Sequence, residues 1–168
     1  MIDKFTVRDA TAADAADIRL LNTRAFGRED EAKVIDALEK DQDVLMQVVA
    51  TMDGQVVGHA LFYSLGVFQR LGAAGLGPMC VDPWVQREGI GSGMLDYGLS
   101  ALKAAGVPLV FVLGHADYYP KFGFKVSTTD PFETPVKGPN FMAIRMRHGP
   151  PMAGKLIFPA AFGIPRVA

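Results

Sequence analysis

The sequence predicts an α/β (α+β) fold, in which a mixed, twisted central sheet is flanked by helices. Three observations predict it. Two apolar, partly β-branched runs, Val44–Met52 and Gln55–Leu65, are joined by Asp53-Gly54. That dipeptide favours the left-handed dihedrals of a tight hairpin, so these strands are antiparallel neighbours. Further along, the apolar runs Leu71–Val81 and Leu109–Leu113 flank a helical pattern, and a strand–helix–strand unit makes its two strands parallel. Ahead of the hairpin, apolar residues recur at helical spacing.

Taken in order, Phe5–Arg8 reads as a short first strand. Thr11 stands three residues ahead of Asp14, a weaker relative of the capping box, and starts a helix whose core face is Ile18, Leu21 and Ala25. Glu29–Lys40 is a second helix with Val34, Ile35 and Leu38 as its apolar face, and its acidic start and Lys40 finish suit the helix dipole. After the hairpin, Leu71–Val81 continues the meander. Gly89–Ala105 is a helix carrying Leu95, Leu99 and Leu102 on one side, and Gly106 stops it. Leu109–Leu113 is a buried-type strand, His115–Phe122 a short aromatic turn or helix, and Phe141–Met146 one more strand. Thr128–Pro139 is loop-rich, and the tail from Gly149 holds four prolines. No repeat, low-complexity tract or linker divides the chain, so one domain is expected over residues 1–168, with a core at about 5–146 and a Pro-containing extension at 149–168.

Composition narrows the partners. With 49% hydrophobic and 21% charged residues the chain is an ordinary globular one. Seventeen basic against eighteen acidic residues, with no Lys/Arg run, argue against nucleic acid. The single Cys80 forms no internal disulfide, Met1–Ala10 lacks the apolar core of a signal peptide, and no uncharged run spans a bilayer; cytoplasm is the expected location, without a membrane partner. The three histidines show no metal spacing, so no metal is expected.

The richest segment is Val81-Asp82-Pro83-Trp84-Val85-Gln86-Arg87-Glu88-Gly89-Ile90-Gly91-Ser92-Gly93. A strand ends, a turn follows, and a helix begins among three glycines. Glycine permits positive φ and close backbone approach, so that successive N–H groups face one concavity. The helix N-terminus adds unsatisfied donors and the positive end of its dipole, making a site for phosphate or pyrophosphate, which Arg87 assists. Two other nucleotide motifs fail on the letters. Gly91-Ser92-Gly93 lacks the Lys of a P-loop, and a dinucleotide fold places its glycine turn after the first strand rather than mid-chain.

At Gln86-x-x-Gly89-x-Gly91 the sequence resembles the GNAT superfamily of N-acetyltransferases, whose acetyl-CoA turn has this pattern. Leu76-Gly77-Pro78-Met79-Cys80-Val81-Asp82-Pro83 extends the likeness, as does Leu113-Gly114-His115 followed by Tyr118-Tyr119-Pro120-Lys121-Phe122-Gly123-Phe124. The likeness is nearest to a bacterial YhbS-like subgroup and covers most of the chain. It implies the acyl-CoA N-acyltransferase fold, with six to seven strands in the sheet. It also implies an acetyl-CoA cosubstrate, held by Met79, Cys80, Val81, Gln86, Arg87, Glu88, Gly89, Ile90, Gly91 and Ser92. One departure stands out. The family has Gly and then Arg, Lys or Gln where this chain has Arg87 and Glu88. An acid beside a pyrophosphate is unfavourable unless it turns outward, so weaker affinity is expected, partly offset by Arg87.

The resemblance further implies direct attack of a primary amine on the thioester, with a backbone N–H near Met79–Val81 stabilising the oxyanion and Tyr119 as general acid to the CoA thiolate. Tyr118 reads as packing. His59, His115, Asp117 or water stand open as the base. Cys80, inside an apolar strand without a neighbouring His or Lys, reads as a small buried hydrophobe rather than a nucleophile. Trp84, Phe158 and Phe162 either line an acceptor pocket or cover the sheet. Phe26–Glu31 and Thr128–Pro139 are expected to shape the acceptor site, for a small-molecule or peptide amine that the motifs do not name. The competing readings are an acyl-CoA-binding module without transfer, which Glu88 favours and Tyr119 opposes, and a transferase using a longer acyl group or a hydroxyl acceptor. A homodimer joined through the tail is a further expectation.

Overall fold

Asp53 and Gly54 reverse the chain with φ of 48° and 77°, the two left-handed residues of a two-residue hairpin turn. They join β2 (Val44–Met52) to β3 (Gln55–Val67), and so short a link is open only to antiparallel strands. The computed structural model describes residues 4–67, 70–149 and 151–167. The first three positions of the charged N-terminal segment, and Pro150 and Ala168 of the tail, lie outside the described residues. The other elements are β1 (Thr6–Asp9), α1 (Ala15–Phe26), α2 (Asp30–Lys40), β4 (Arg70–Val81), α3 (Ile90–Ala104), β5 (Leu109–Leu113), β6 (Phe132–Glu133), β7 (Phe141–Arg145) and β8 (Gly154–Ile157). Among the described residues eight strands form the sheet, ordered β1-β2-β3-β4-β5-β7, with β8 pairing β3 and β6. The expected mixed sheet is therefore present with more strands than the six to seven anticipated. The additions are the two-residue β6 and the tail strand β8.

The chain divides into two compact units, Met1–Phe62 with Pro78–Ala101, and Tyr63–Gly77 with Leu102–Ala168. In the first unit β1 lies antiparallel on β2, from Thr6↔Thr51 to Asp9↔Val48. Helices α1 and α2 bury Ile18, Leu21, Ile35 and Leu38, as their spacing predicts, but α1 buries Asn22 where Ala25 was expected. Thr11 donates its N–H to Asp14 at 2.7 Å, and Arg8 grips the same carboxylate through two nitrogens at 2.7 and 2.9 Å. Helix α3 settles against β3 where both carry glycine. A Cβ on Gly58 would lie 3.0 Å from Ile90 and Met94, and one on Gly98 would lie 2.4 Å from the Phe62 ring.

In the second unit β5 pairs parallel with β4, from Ala73↔Leu109 to Leu76↔Val112, and antiparallel with β7. The parallel register ends there, while β4 runs on to Val81. Gly77 follows at φ 145° and Pro78 brings no N–H, two features that bend a strand and close a ladder. A core of aromatic rings fills the rest. Phe111 meets Phe132 edge-on at 5.1 Å and stacks on Phe141 at 5.6 Å. The tail belongs to this core. Thirteen-residue β3 outlasts nine-residue β2, and its last residues pair instead with β8, Gly66 to Ile157 and Val67 to Leu156. Phe162 then packs on Tyr63 at 4.6 Å. The tail thus completes the sheet of its own chain, and Phe158 and Phe162 cover it.

Candidate active site

At the end of β4, Met79 and Val81 are half-buried and Cys80 is buried, with burial pushing its thiol up to about 12. That leaves the thiol protonated and unreactive, as an inert core cysteine is. The chain then enters a short 3₁₀ turn at Pro83–Val85, capped by the Asp82 carboxylate, which accepts from the Trp84 N–H at 3.1 Å. The Asp82-Pro83 pair spells this out locally, a capping acid followed by proline at the first helical position. Gln86 turns back to donate from Nε2 to the Val81 carbonyl at 3.1 Å. Arg87 adopts φ 65° and Gly89 φ 90°. Arg87 stands where the resembling family carries glycine, and the left-handed backbone is the reason a glycine is the usual choice.

Helix α3 opens with the bond from Gly93 N–H to the Gly89 carbonyl, 2.9 Å. The N–H groups of Ile90, Gly91 and Ser92 precede that bond and have no intrahelical acceptor. Ile90 is anchored in the core at 1% exposure, which fixes the helix end, while Gln86, Arg87, Glu88 and Gly89 are exposed. A Cβ built on Gly89 meets nothing within 4 Å. The arrangement is an anchored helix terminus whose first N–H groups lack intrahelical acceptors, preceded by an exposed turn with open space at Gly89 and a guanidinium beside it. It fits a pyrophosphate. Glu88, being exposed, is free to turn away from such a ligand.

In the second unit, Tyr119 starts the 3₁₀ turn Tyr119–Phe122. Its N–H bonds the His115 carbonyl at 3.3 Å, and its ring meets Tyr118 at 5.1 Å and Phe124 at 5.7 Å. Gly114 makes room for it, since a Cβ there would lie 2.6 Å from the ring. Burial, with a smaller effect from Tyr118, pushes its phenol up to about 12. Tyr119 is therefore a protonated donor throughout the neutral range. His115 and Asp117, in the segment before it, are exposed.

His59 is a different matter. It is fully buried on β3, and its Nδ1 meets Asn22 Nδ2 at 3.1 Å while Nε2 meets Gln47 Oε1 at 2.8 Å. Asn22 Nδ2 also bonds the Ile18 carbonyl at 2.9 Å, and Gln47 Nε2 donates to Glu39 at 2.8 Å. The Asn22 amide donor on one side and the Gln47 oxygen acceptor on the other fit the neutral tautomer with hydrogen on Nε2. Burial lowers the ring to about 4. Both nitrogens are committed and sealed from substrate, so His59 leaves the set of candidate bases; it is a structural histidine. Trp84 is 89% exposed and covers no part of the sheet. Among the described residues no cluster of three or more metal-ligating side chains occurs, and no helix is long and apolar enough to cross a membrane.

Asp82 and its partner Arg24 went unread in the sequence, although the Asp-Pro cap was there to see. Arg24 Nη2 reaches Asp82 Oδ2 at 2.5 Å, a contact across 58 positions that no local spacing encodes.

This architecture has relatives. The family described as "Acetyltransferase (GNAT) domain" matches residues 6–127. The uncharacterized N-acetyltransferase YjhQ of Escherichia coli strain K12 is 34% identical over 134 residues, covering 77% of this chain and 74% of YjhQ. The crystal structure of YhbS from Escherichia coli in complex with CoA superposes with a TM-score of 0.88 at 26% identity, covering 97% of this chain and 96% of that one. A GNAT family acetyltransferase from Brucella melitensis, solved with acetyl-CoA, gives 0.81 at 32% identity over 95% and 98% of the two chains. The chain belongs to the GNAT acetyltransferase family.

Proposed function

We propose that this protein is a single-domain, acetyl-CoA-dependent N-acetyltransferase that passes the acetyl group directly to a primary amine. The observation that carries the reading is the turn Gln86–Ser92: left-handed Arg87 and Gly89, with open space at Gly89, leading into N–H groups of α3 that have no intrahelical acceptor. The two relatives solved with CoA and acetyl-CoA support the choice of ligand.

In this reading the N–H groups from Gly89 to Ser92, with Arg87, hold the pyrophosphate, and Gln86 braces the turn from Val81. A backbone N–H within Met79–Val81 receives the negative charge that develops on the thioester oxygen, a contact worth about 10²–10³ in rate. The amine enters uncharged, its proton taken by His115, Asp117 or water. Its nitrogen bonds the carbonyl carbon, and the bond from that carbon to sulfur breaks.

Tyr119 is assigned the role of donor to the departing sulfur. A phenol near 12 is a weaker acid than a thiol of about 8.5, so complete transfer from Tyr119 to the thiolate is uphill by about 5 kcal/mol. Its contribution is hydrogen-bond donation to sulfur as charge builds there, and the proton shed by the attacking amine balances the thiol released. Because the acid form persists until pH rises through about 12, the rate should climb with amine deprotonation and show no falling limb between pH 6 and 10.

The test is thiol release from acetyl-CoA across amino acids, polyamines, aminoglycosides and peptide N-termini. Turnover with at least one class is expected, with Tyr119→Phe lowering kcat about 10²–10³-fold and leaving acetyl-CoA affinity unchanged. Binding without thiol release from any acceptor would establish instead the non-catalytic acyl-CoA-binding module that Glu88 favours.

A further inference from the structure

We propose that the Arg24–Asp82 ion pair is a positioning contact for the cofactor turn, through which α1 sets the conformation of the segment entering Gln86–Ser92; this rests on the reading of that turn as the acetyl-CoA site. Asp82 is fixed at four points. Its N–H donates to the Val57 carbonyl of β3 at 2.7 Å, and its own carbonyl accepts from Val85 at 3.0 Å. Its Oδ1 caps Trp84 at 3.1 Å, and its Oδ2 accepts from Arg24 at 2.5 Å. The carboxylate is 13% exposed and the guanidinium 48%, so the pair is partly shielded and stronger than a fully solvated one.

The bonds that hold the chain between β4 and α3 converge on this one residue and on Val81, where Gln86 Nε2 returns. Arg87 then takes its left-handed conformation, which costs about 1–2 kcal/mol and persists only when the flanking chain imposes it. Of the four anchors, three belong to β3 and to the turn itself. Only Arg24 comes from a helix. The ion pair therefore links α1, next to the Phe26–Glu31 segment, to the residues that receive the cofactor.

Two variants separate this role from bulk stability. Asp82→Asn keeps an oxygen for the Trp84 N–H and removes the charge, while Arg24→Met keeps the apolar stem. Trp84, the sole tryptophan of the chain, lies two residues before Gln86 and reports on the turn by its emission. Each variant and the double variant would be titrated with desulfo-CoA by calorimetry and by Trp84 emission, and assayed with saturating acetyl-CoA. Each single change should raise Kd on the order of fivefold. The double variant should be no weaker than either single one, because both break one contact. Emission of the unliganded protein should shift alike in all three, and kcat at saturating acetyl-CoA should stay within about twofold of wild type. Wild-type affinity in both single variants, or losses that add in the double one, would overturn the positioning role while leaving the cofactor site standing. Failure of the wild type itself to bind desulfo-CoA would instead remove the cofactor reading, and this inference with it.

Discussion

Around His59 both ring nitrogens are spent on the fold, with Asn22 Oδ1 left buried and unpartnered beside them, and around Gly89 the polar groups are left for something else. Asn22, His59, Gln47 and Glu39 form a chain of hydrogen bonds running outward from a fully buried imidazole. The turn after β4 does the reverse. Gln86 to Gly89 are exposed, the backbones of Arg87 and Gly89 are left-handed, space is open at Gly89, and the first N–H groups of α3 have no intrahelical acceptor. Both regions belong to the first unit, and both hold residues that chemistry could recruit. The difference teaches that a titratable residue is not a candidate by type alone. A committed group is architecture, and an uncommitted donor on an anchored frame is what makes a candidate site.

The contrast can be broken from the closed side first. His59→Leu orphans the Gln47 oxygen and one Asn22 hydrogen, and should cost about 2–4 kcal/mol by chemical denaturation without changing desulfo-CoA affinity. A loss of affinity with no loss of stability would put His59 in the site. Titration sharpens the point. The unfolded imidazole takes a proton near pH 6.5, whereas burial holds the folded one down to about 4. Stability from this source is therefore complete above about pH 6.5 and falls as pH drops toward 4, by up to about 3 kcal/mol. Thermal midpoints of the wild type should follow that decline, and those of His59→Leu should be flat across the same window.

A second acid limb lies lower. Arg8, and after it the Thr11 N–H, hold the Asp14 carboxyl well below the usual range. Its contribution is present above about pH 4 and lost as pH falls further, so Asp14→Asn should cost about 1–2 kcal/mol at neutral pH and remove the steepening below pH 4. The smallest effect is at the open site. Arg87→Gly relieves a left-handed backbone worth about 1–2 kcal/mol and gives back about 0.5–1 in unfolded-state entropy. The net is a gain of about 0.5–1 kcal/mol in denaturation. A loss would mean that the Arg87 side chain itself braces the turn.

Much of this was legible in the letters because its causes are local. Asp53-Gly54 dictated a hairpin, the run Leu76–Leu113 dictated a parallel pair, and Gln86-x-x-Gly89-x-Gly91 marked the turn by its glycines. What escaped has long-range causes. Asn22 is buried by its bond to a histidine 37 positions away, so helical spacing favoured Ala25 in its place. β8 follows a proline-rich stretch and forms because β3 outlasts β2, a mismatch seen only once both strands are placed. Asp82 showed its cap but not Arg24.

The central claim is that the open turn binds the pyrophosphate of acetyl-CoA, and Ser92→Asp tests it most directly. An aspartate in the first turn of α3 suits the helix dipole, so the fold should be kept or slightly stabilised, while it adds a negative charge beside the N–H groups assigned to the pyrophosphate. Calorimetric titration of acetyl-CoA should give micromolar binding to the wild type and a loss of about a hundredfold or more in the variant, at an unchanged thermal midpoint. Equal affinity in the two proteins would contradict the account and move the cofactor to another surface.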